Sequence, residues 1–291
     1  LADAKIGALN AESAASGKAN AASFGHNPFS DFTESEWQSM MGLLGGAADD
    51  DEGLPWGDDG RRLVGTADTI DHAASGKVFA VKDQGRCGSC WAFAANTALE
   101  GAVAINGNTT PVHLSEQQLV SCTTRSAKKI IGTDYGNGGC NGGWMDYAWN
   151  FQRDKGAMLD ADYPYVSGID GRTRRCKHNS SKTVGNVSTY GAVTTIADMK
   201  AKLVTHPLTI AIDASSYGFQ YYKSGVLQAN QCTTGLNHAV VVVGYSEGSN
   251  YWKIQNSWGT GWGDQGFILF EITSGLGVCA MNRYVWWAQM H

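Results

Sequence analysis

The chain has 291 residues, of which 43% are hydrophobic and 17% are charged. This length allows one large domain or two lobes, and the composition excludes a disordered chain. The formal net charge of −5 at pH 7 argues against binding of nucleic acid or anionic membranes through overall charge. The apolar run at residues 240–243 is far shorter than the ~20 residues that a spanning helix needs, so we expect no membrane span.

Charge is distributed unevenly along the chain. Residues 1–62 carry four basic and eleven acidic side chains, a net charge of −7, whereas residues 63–291 have a net charge of +2. Acidic runs at residues 49–52 and 58–59 precede Arg61 and Arg62. This pattern is typical of a weakly structured, cleavable leader that ends in a dibasic pair. A solvated acidic surface loop is the alternative. The first residues lack the features of a signal peptide, so any such signal is expected upstream.

Helical spacing dominates the region that follows the leader. Apolar residues recur at helical intervals from Cys90 to Ile105, and Gly107 follows as a stop, which predicts a long buried helix. Ser115 and Gln118 predict a capping box that opens a short helix through Val120. A third helical stripe consists of Trp144, Tyr147, Ala148 and Phe151, closed by Gly156.

Short β-branched and aromatic runs between turn residues follow from about residue 184. The predicted strands cover residues 207–212, 239–245, 251–255 and 266–272, and one helical patch covers residues 196–204. These patterns predict an α+β fold in which a helical lobe packs against a strand-rich lobe. A groove between two such lobes is the expected place for a site.

Seven cysteines are an odd number, so six can pair in an oxidising compartment and one thiol is left over. Cys90 lies at the predicted amino end of the long helix, where N–H groups and the helix dipole lower the pKa of a thiol. His238 begins a predicted strand and Asn256 ends the next one, so the amide oxygen can accept from Nδ1–H of the imidazole. These three residues are a candidate nucleophile, base and orienting group. The histidines interpreted as structural are His26, His72, His113, His178, His206 and His291.

Cys87 and Cys90 form a C-x-x-C pair that has two other interpretations. The pair can be half of a zinc site, but no second C-x-x-C and no H-x-x-x-H lies within reach, so we expect no metal. It can also be a redox pair of the thioredoxin kind, although those carry their aromatic residue before the first cysteine. A thiol oxidoreductase therefore stays open as an alternative function.

Four separated motifs occur along the chain: Cys87-Gly-Ser-Cys-Trp, Cys140-Asn-Gly-Gly, Leu236-Asn-His-Ala and Asn256-Ser-Trp-Gly. With these motifs the chain closely resembles the papain-like cysteine proteases of the cathepsin L kind, from about residue 24 to the carboxyl end. The resemblance implies a papain-like two-lobe α+β fold, with a helical left lobe at roughly residues 75–180 and a β-barrel-like right lobe at roughly 181–291. It places the active-site cleft between the lobes.

The resemblance also implies the roles of the site residues. Cys90 is the nucleophile, His238 is the base and later the acid, and Asn256 orients His238. Gln84 supplies the side-chain donor of the oxyanion hole, and Trp258 covers the His238–Asn256 hydrogen bond. No cofactor is implied, and the partners are peptide or protein substrates. A catalytically silent papain-like binding or storage protein stays open, although such a relative would normally have lost the nucleophile or the histidine.

Specificity is predicted from positions that match the family's substrate-binding residues, which here are Gly142, Gly143, Trp144, Met145, Ala211, Leu236, Ala239 and Tyr284. The apolar walls, with no carboxylate at the pocket floor, predict hydrophobic residues rather than arginine two positions before the scissile bond. Only a short stretch separates Asn141 from Tyr163, which leaves no room for an occluding insertion and favours endopeptidase activity.

The family pairing of cysteines implies the disulfides Cys87–Cys140, Cys122–Cys176 and Cys232–Cys279, with Cys90 left alone. Asn108, Asn179 and Asn186 head N-x-[ST] sequons and are candidate glycosylation sites. Together these features imply a monomeric protein of the secretory pathway, destined for a lysosome, a vacuole or the extracellular space. Residues 125–135 are predicted to be a surface insertion of unknown use.

The leader resembles the family's propeptides, because Gly25, Asn27, Phe29 and Asp31 match the pattern G-x-N-x-F-x-D. Residues 1–62 are then a propeptide, truncated at its start, with an activation linker, and residues 63–291 are the peptidase domain. The resemblance implies a zymogen whose leader crosses the cleft in the unproductive direction until a cut between Arg61 and Thr66. We hypothesise that opposite charges hold the leader to the enzyme, so that acid loosens it.

Overall fold

A computed structural model of the chain describes residues 1–44 and 67–291. The acidic runs at residues 49–59, the dibasic pair, the expected cut site and the boundary between residues 62 and 63 lie outside the described residues. The helices are α1 (Ala2–Ala15), α2 (Glu34–Ser39), α3 (Cys90–Asn106), α4 (Glu116–Cys122), α5 (Lys128–Ile131), α6 (Met145–Lys155), α7 (Ile196–Leu203) and α8 (Tyr217–Gln220). The strands are β1 (Ser23–Phe24), β2 (Thr69–Asp71), β3 (Ala157–Met158), β4 (Thr183–Gly185), β5 (Val187–Ala192), β6 (Leu208–Ile212), β7 (Tyr222–Ser224), β8 (Val226–Leu227), β9 (His238–Ser246), β10 (Tyr251–Gln255), β11 (Phe267–Glu271) and β12 (Val285–Met290).

The described part of the leader is folded, which makes the prediction of weak structure wrong for residues 1–44. Alanine is a strong helix former, and α1 is rich in it. Thr33 and Glu36 form a capping box at the start of α2, where Thr33 accepts from the Glu36 N–H and Glu36 accepts in return. A short strand, β1, lies between the two helices and pairs with β7 of the enzyme.

The predicted helices of the first lobe are confirmed. Helix α3 is almost wholly buried, and α6 ends at Gly156 as the stripe indicates. Ser115 caps α4 by accepting from Gln118 N. The other hydrogen bond of the predicted capping box, from the Ser115 N–H to the Gln118 side chain, is wrong. The Gln118 side chain accepts instead from Met158 N at 2.9 Å, because that distant backbone group lies beside it in the fold.

The strands of the second lobe form one mixed sheet in the order β5-β12-β6-β9-β10-β11-β8, and β2 also pairs with β9. The strands predicted around residues 207–212, 239–245, 251–255 and 266–272 are confirmed as β6, β9, β10 and β11. Strands β5 and β8 end the order, so the described residues form an open sheet and not a closed barrel.

Strand β9 is buried on both faces, which explains its continuous apolar sequence. Ala239, Val241 and Val243 pack into one core cluster with α3 and α6. Val240 and Val242 pack into a second cluster with the other strands and with leader residues. His238 is the first residue of β9 and is fully buried.

Three disulfides join distant parts of the chain: Cys87–Cys140, Cys122–Cys176 and Cys232–Cys279. These are the pairs that the family resemblance implies, and Cys90 is free and buried. Each bridge closes a loop of about fifty residues, and losing a native disulfide of this kind typically costs ~2–5 kcal/mol. Among the described helices, none is long and apolar enough to cross a membrane.

Candidate active site

Cys90 is the first residue of α3, at the end of the helix that the sequence predicts. The backbone N–H groups of Cys90 and Trp91 act to lower the pKa of its thiol, as expected for a helix start. Burial is the larger influence, however, and it raises the pKa of Cys90 to about 12. The predicted lowering of the thiol pKa is therefore wrong for the chain with its leader in place, where the sulfur is a neutral thiol.

His238 is fully buried, and burial lowers its pKa to about 4, so the imidazole is neutral in this state. Its Nε2 lies 2.8 Å from Oδ1 of Asn256, and the same oxygen accepts from Ser257 N at 2.8 Å. Because this oxygen only accepts, Nε2 carries the proton. The predicted bond through Nδ1 is wrong. Nδ1 is buried and has no hydrogen-bond partner among the described residues, which leaves it unprotonated.

The sulfur of Cys90 lies beside the start of β9. The backbone N–H of Ala239, the residue that follows His238, and that of Gly42 in the leader lie near the sulfur and act to lower its pKa. The fold thus brings the thiol of one lobe next to the histidine-bearing strand of the other. A leader amide also lies near the sulfur.

Gln84 is fully buried. Its side-chain Nε2 donates to the carbonyl of Met40 at 2.9 Å and to that of Cys87 at 3.0 Å. Its Oε1 accepts from the hydroxyl of Ser257 at 2.7 Å, which fixes the orientation of the amide. A leader carbonyl therefore lies where Gln84 can donate a hydrogen bond.

Trp258 stacks on His238, with ring centroids 4.5 Å apart and an interplanar angle of 28°. Its ring also contacts Trp37 and Phe29 of the leader, with centroids 4.9 and 5.7 Å away, respectively. The aromatic residue that the resemblance assigns to covering the His238–Asn256 pair is thus itself covered by the leader.

Gly42 marks the closest approach of the leader to the candidate site. A Cβ atom at this position would lie 2.3 Å from the Gly88 carbonyl oxygen and 3.1 Å from Sγ of Cys90. Gly42 N donates to Asn237 O at 3.0 Å, and Gly42 O accepts from Gly143 N at 3.0 Å. Leader backbone therefore spans both lobes at the cysteine, and glycine is needed for this approach.

Most residues assigned to the specificity pocket lie close together. Leu236 is half-buried just before β9, and the described contacts do not establish its position relative to the others. Trp144 contacts Tyr284, with centroids 4.8 Å apart. Ala211 N donates to Tyr284 O at 3.1 Å, and Ala211 pairs with Ala239 across β6 and β9. Buried Met145 follows Trp144 at the start of α6, and Gly142 and Gly143 precede it.

Asp146 is a neighbour of this pocket that the sequence analysis missed. The Tyr284 hydroxyl donates to Oδ1 of Asp146 at 3.1 Å, and burial raises the pKa of that carboxyl. The expectation of no carboxylate at the pocket floor stays a prediction, and Asp146 is a carboxylate that contacts one of the pocket residues. Asp146 directly follows Met145, a predicted pocket residue, at the start of α6. Its position in the sequence could therefore have indicated that it lies near the pocket.

The leader motif contacts the enzyme through three of its four residues. Gly25 N donates to Tyr221 O, and Asn27 donates to Gln220 O at 2.6 Å. Phe29 lies against Trp258, and its carbonyl accepts from Gln220. Asp31 is exposed. Backbone pairing and aromatic packing therefore hold this part of the leader.

Charge pairs between the leader and the enzyme are sparse in the described part of the chain. The ion pair found there joins Lys18 to Glu271 at 2.5 Å, with the positive charge on the leader. This sign is opposite to the one that the charge hypothesis requires. The acidic runs of the leader lie outside the described residues, so the hypothesis stays a prediction.

The three sequon asparagines are exposed. Asn186 donates through its side-chain nitrogen to Arg153 O at 2.9 Å. Asn108 and Asn179 instead use their side-chain oxygens as acceptors, from Lys77 and Ser181. Glycosylation at these positions stays a prediction.

A buried charge cluster lies in the helical lobe and was missed from the sequence. Lys82 donates to Glu100 and Glu116, both fully buried, at 2.6 Å. His113 lies 3.3 Å from Glu116 and 3.8 Å from Asp160. His113 therefore faces two carboxylates, and its interpretation as a structural residue stays a prediction.

The comparisons with known proteins agree with this arrangement. The sequence model of the papain family cysteine proteases matches residues 66–288. The chain belongs to the papain family. It is 38% identical over 257 residues to digestive cysteine proteinase 3 of Homarus americanus, covering 83% of this chain and 72% of that protein. It is 41% identical over 223 residues to probable cysteine protease RDL2 of Arabidopsis thaliana, covering 74% of this chain and 58% of that protein.

Solved structures of related proforms have the same fold. Digestive procathepsin L 3 from the larval midgut of Tenebrio molitor aligns with a TM-score of 0.79 and 31% identity, over 99% of this chain and 88% of that one. A recombinant stem bromelain precursor aligns with a TM-score of 0.78 and 29% identity, over 99% and 89% of the two chains. The papain-like two-lobe α+β fold is confirmed, and the leader is included in the alignments.

Proposed function

We propose that this chain is the zymogen of a cysteine endopeptidase. The observation that supports it is the convergence of a free thiol at Cys90, the His238–Asn256 pair and the Gln84 amide beneath a leader backbone. Cysteine and histidine held together in this way are suited to acyl transfer. The leader is the chain's own inhibitor, and peptides or proteins are its substrates.

The reaction proceeds in two halves once the leader is gone. Cys90 Sγ attacks the peptide carbonyl carbon while Nδ1 of His238 accepts the thiol proton, and His238 then gives that proton to the departing amine. A thioester to Cys90 remains. Water attacks the thioester carbonyl, loses its proton to His238, and the thiol is regenerated with release of the acid. Gln84 Nε2 and the backbone N–H of Cys90 stabilise the oxyanion in both halves.

Both reacting groups are neutral in the inhibited state of this site. Burial raises the pKa of Cys90 to about 12 and lowers that of His238 to about 4, so neither group is charged. Removing the leader admits water to the cleft and reduces the cost of charge on both groups. A thiolate–imidazolium pair can then form.

The substrate preference follows from the pocket around Trp144 and Tyr284. Its apolar walls favour hydrophobic residues two positions before the scissile bond, and the Tyr284 ring lies beside Asp146. Residues 141–163 follow a short 3₁₀ turn and contain α6 and β3. This short stretch leaves the cleft free of an occluding insertion and favours internal cleavage.

The alternatives are less well supported. A redox C-x-x-C pair needs Cys87 and Cys90 bonded to each other, whereas Cys87 is bonded to Cys140. A silent binding protein has no need for a buried Nδ1 without a partner beside a free thiol. The disulfides and sequons fit the secretory pathway, with a lysosome, a vacuole or the extracellular space as the destination, and the protein is expected to act as a monomer.

Alkylation under non-reducing conditions tests the proposal. In the intact chain the fully buried thiol should resist iodoacetamide, whereas after leader removal Cys90 alone should be labelled and cleavage of a fluorogenic peptide should stop. Cys90→Ser should abolish that cleavage without changing the disulfides. Labelling of two cysteines only after reduction would support the oxidoreductase instead. Full peptide cleavage by Cys90→Ser would refute the proposal.

A further inference from the structure

Tyr165 is a half-buried tyrosine whose hydroxyl contacts the two segments that carry the proposed oxyanion donors. The hydroxyl donates to the backbone carbonyl of Gln84 at 2.9 Å and lies 2.8 Å from the hydroxyl of Ser89. A carbonyl oxygen only accepts, so the single phenol proton goes to Gln84, and Ser89 donates to the phenol oxygen. Burial raises the pKa of Tyr165, so the phenol keeps this proton from acid to neutral pH.

Ser89 is the N-cap residue of α3 and directly precedes Cys90. A serine at this position commonly accepts from a backbone N–H of the first helical turn, but among the described residues Ser89 makes no such bond. Its buried hydroxyl is turned to Tyr165 instead, and the Cys87 carbonyl is a second, longer contact at 3.4 Å. The bond to the phenol therefore stands in place of the usual cap on the helix that begins at the nucleophile.

Gln84 is held on its other sides by Ser257. Gln84 N donates to Ser257 O at 2.9 Å, and Oε1 of Gln84 accepts from the Ser257 hydroxyl at 2.7 Å. Tyr165 adds a hydrogen bond at the backbone carbonyl of Gln84. A Cβ atom at Gly168 would lie 2.7 Å from this carbonyl oxygen and 2.9 Å from Cε1 of Tyr165, so a glycine there leaves room for the phenol to reach it.

Tyr165 is itself anchored at two points. Its backbone N–H donates to Oδ1 of Asp160 at 3.0 Å. Its ring meets the ring of Phe93 edge-on, with centroids 4.9 Å apart and an interplanar angle of 89°, and Phe93 belongs to α3. The hydroxyl is therefore a fixed point between Gln84 and the start of α3.

We propose that Tyr165 is a positioning residue that sets the separation of the two oxyanion donors, the side chain of Gln84 and the backbone N–H of Cys90. One phenol oxygen joins the backbone of the first donor residue to the residue before the second. Oxyanion stabilisation depends on donors that are already in place, and a misplacement of ~1 Å can cost about 10²-fold in rate. This inference rests on the proposed function, because the donors act only in acyl transfer.

Kinetics of the matured enzyme test this role, after the full chain is produced and its leader is removed. Tyr165→Phe should lower kcat about tenfold with little change in KM, because the ring packing remains while the two donors lose their common anchor. The matched control is Tyr163→Phe. It removes a buried phenol hydroxyl that donates to Arg175 O at 3.1 Å and contacts neither donor segment, so it should keep the wild-type kcat.

Two further measurements separate donor positioning from a general structural role. In a Gln84→Ala background, Tyr165→Phe should lower kcat about threefold or less, because only the hydrogen bond with Ser89 is left to lose. The rate of thiol–disulfide exchange between Cys90 and dithiodipyridine should not change in Tyr165→Phe, because this reaction takes place at sulfur and forms no oxyanion.

Several outcomes would overturn this role. Equal kcat values for Tyr165→Phe and Tyr163→Phe would do so, as would a loss that is undiminished in the Gln84→Ala background. A parallel fall in the rate of disulfide exchange would assign the effect of Tyr165 to the thiol instead of the donors. These outcomes leave the proposed function standing, whereas absence of peptide cleavage by matured wild type would overturn both.

Near-ultraviolet circular dichroism of each variant should match wild type. If Tyr165→Phe loses its tertiary signal, Ser89→Ala takes its place, because it removes the other partner of the phenol oxygen and leaves Tyr165 intact. This variant should also lower kcat with little change in KM. A wild-type kcat for Ser89→Ala would then overturn the role.

Discussion

At the scale of single residues, the leader satisfies the groups that the proposed chemistry would use. Gln84 donates to the Met40 carbonyl, and the Gly42 N–H donates to Asn237 O beside the sulfur of Cys90. Both contacts keep polar groups paired while the cleft is dry, which avoids the cost of burying them unpaired. The Gln84 donor becomes available to a substrate when the leader departs, whereas Gly42 leaves with the leader.

Replacement of Gln84 tests the oxyanion role. In the matured enzyme, Gln84→Ala should lower kcat by about 10²–10³, which is ~2.7–4 kcal/mol of transition-state stabilisation, with little change in KM. Ser257→Ala is the matched control, because it removes only the hydroxyl that holds Oε1 of Gln84 at 2.7 Å, and its loss should be much smaller. A kcat for Gln84→Ala equal to that of Ser257→Ala would argue against direct stabilisation by Gln84.

Tyr284, a predicted pocket residue, donates a hydrogen bond to the carboxylate of Asp146. Tyr284→Ala removes the ring and the hydroxyl that donates to Asp146, so the enzyme should gain activity toward substrates with arginine two positions before the cut. The reason is Coulomb attraction to an uncovered Asp146 carboxylate. Profiling with a peptide library measures the ratio of arginine to leucine at that position.

The control for this pocket prediction is the double variant Tyr284→Ala/Asp146→Asn. It has the same enlarged pocket without the carboxylate and should lose the gain for arginine. If wild type already prefers arginine, the proposed hydrophobic preference fails. If the double variant keeps the gain, Asp146 is not its cause.

At the scale of elements, α2 carries the main apolar contact of the leader. Trp37 is buried, contacts Trp258 and donates from its indole nitrogen to Ala214 O at 3.2 Å. Strand β1 adds backbone pairing to β7. Packing and backbone hydrogen bonds therefore dominate over the described ion pairs in holding the leader.

Trp37→Ala should speed leader release. Truncating a buried tryptophan typically costs ~3–5 kcal/mol, and here the loss falls on the free energy that holds the leader on the enzyme. The half-time of activation at a fixed acidic pH should therefore shorten at least about tenfold. Appearance of peptidase activity gives the half-time. Gln38→Ala, on the exposed side of the same helix, should activate like wild type. Equal half-times for both variants would show that α2 does not limit release.

At the scale of the whole molecule, the buried charge cluster couples stability to pH. Burial acts to raise the pKa of Glu100 and Glu116; Glu100 stays raised, whereas Lys82 and His113 lower the pKa of Glu116. Burial also acts to lower the pKa of His113, but Glu116 and Glu100 together outweigh burial and raise that pKa above 6.5. Lys82, Glu100, Glu116 and Asp160 are the charged groups near this imidazole.

A His113 pKa that is higher in the folded than in the unfolded chain stabilises the fold below pH 6.5, and this contribution is lost as the pH rises through the folded value. His113→Gln should therefore lower Tm at pH 5 more than at pH 8. Thermal unfolding of the intact chain at both pH values measures the difference. His178→Gln is the control. Because burial lowers the pKa of His178, this variant should not lower Tm more at pH 5 than at pH 8. Equal losses for His113→Gln at both pH values would exclude the linkage.

The sequence predicted much of the fold because its signals are local. Helical spacing located α3 and α6, and β-branched runs located β6, β9, β10 and β11. The leader helix α1 was mistaken for weak structure because its alanines give little amphipathic pattern. Strand β12 was missed because its Val-Trp-Trp run had no turn signal before it, and it becomes a strand by pairing with β5 and β6.

Sequence alone determined the family and the identity of the candidate site residues. It also indicated, through the family's cysteine pairing, that Cys90 is unpaired. Motifs of neighbouring residues carry this information. Only the tertiary structure decided that Nε2 of His238 faces Asn256, that the covered thiol is neutral and that Asp146 reaches Tyr284. It also brought the Tyr165 hydroxyl to Gln84 and Ser89. These properties depend on burial and on contacts between residues far apart in the chain, and no local pattern encodes either.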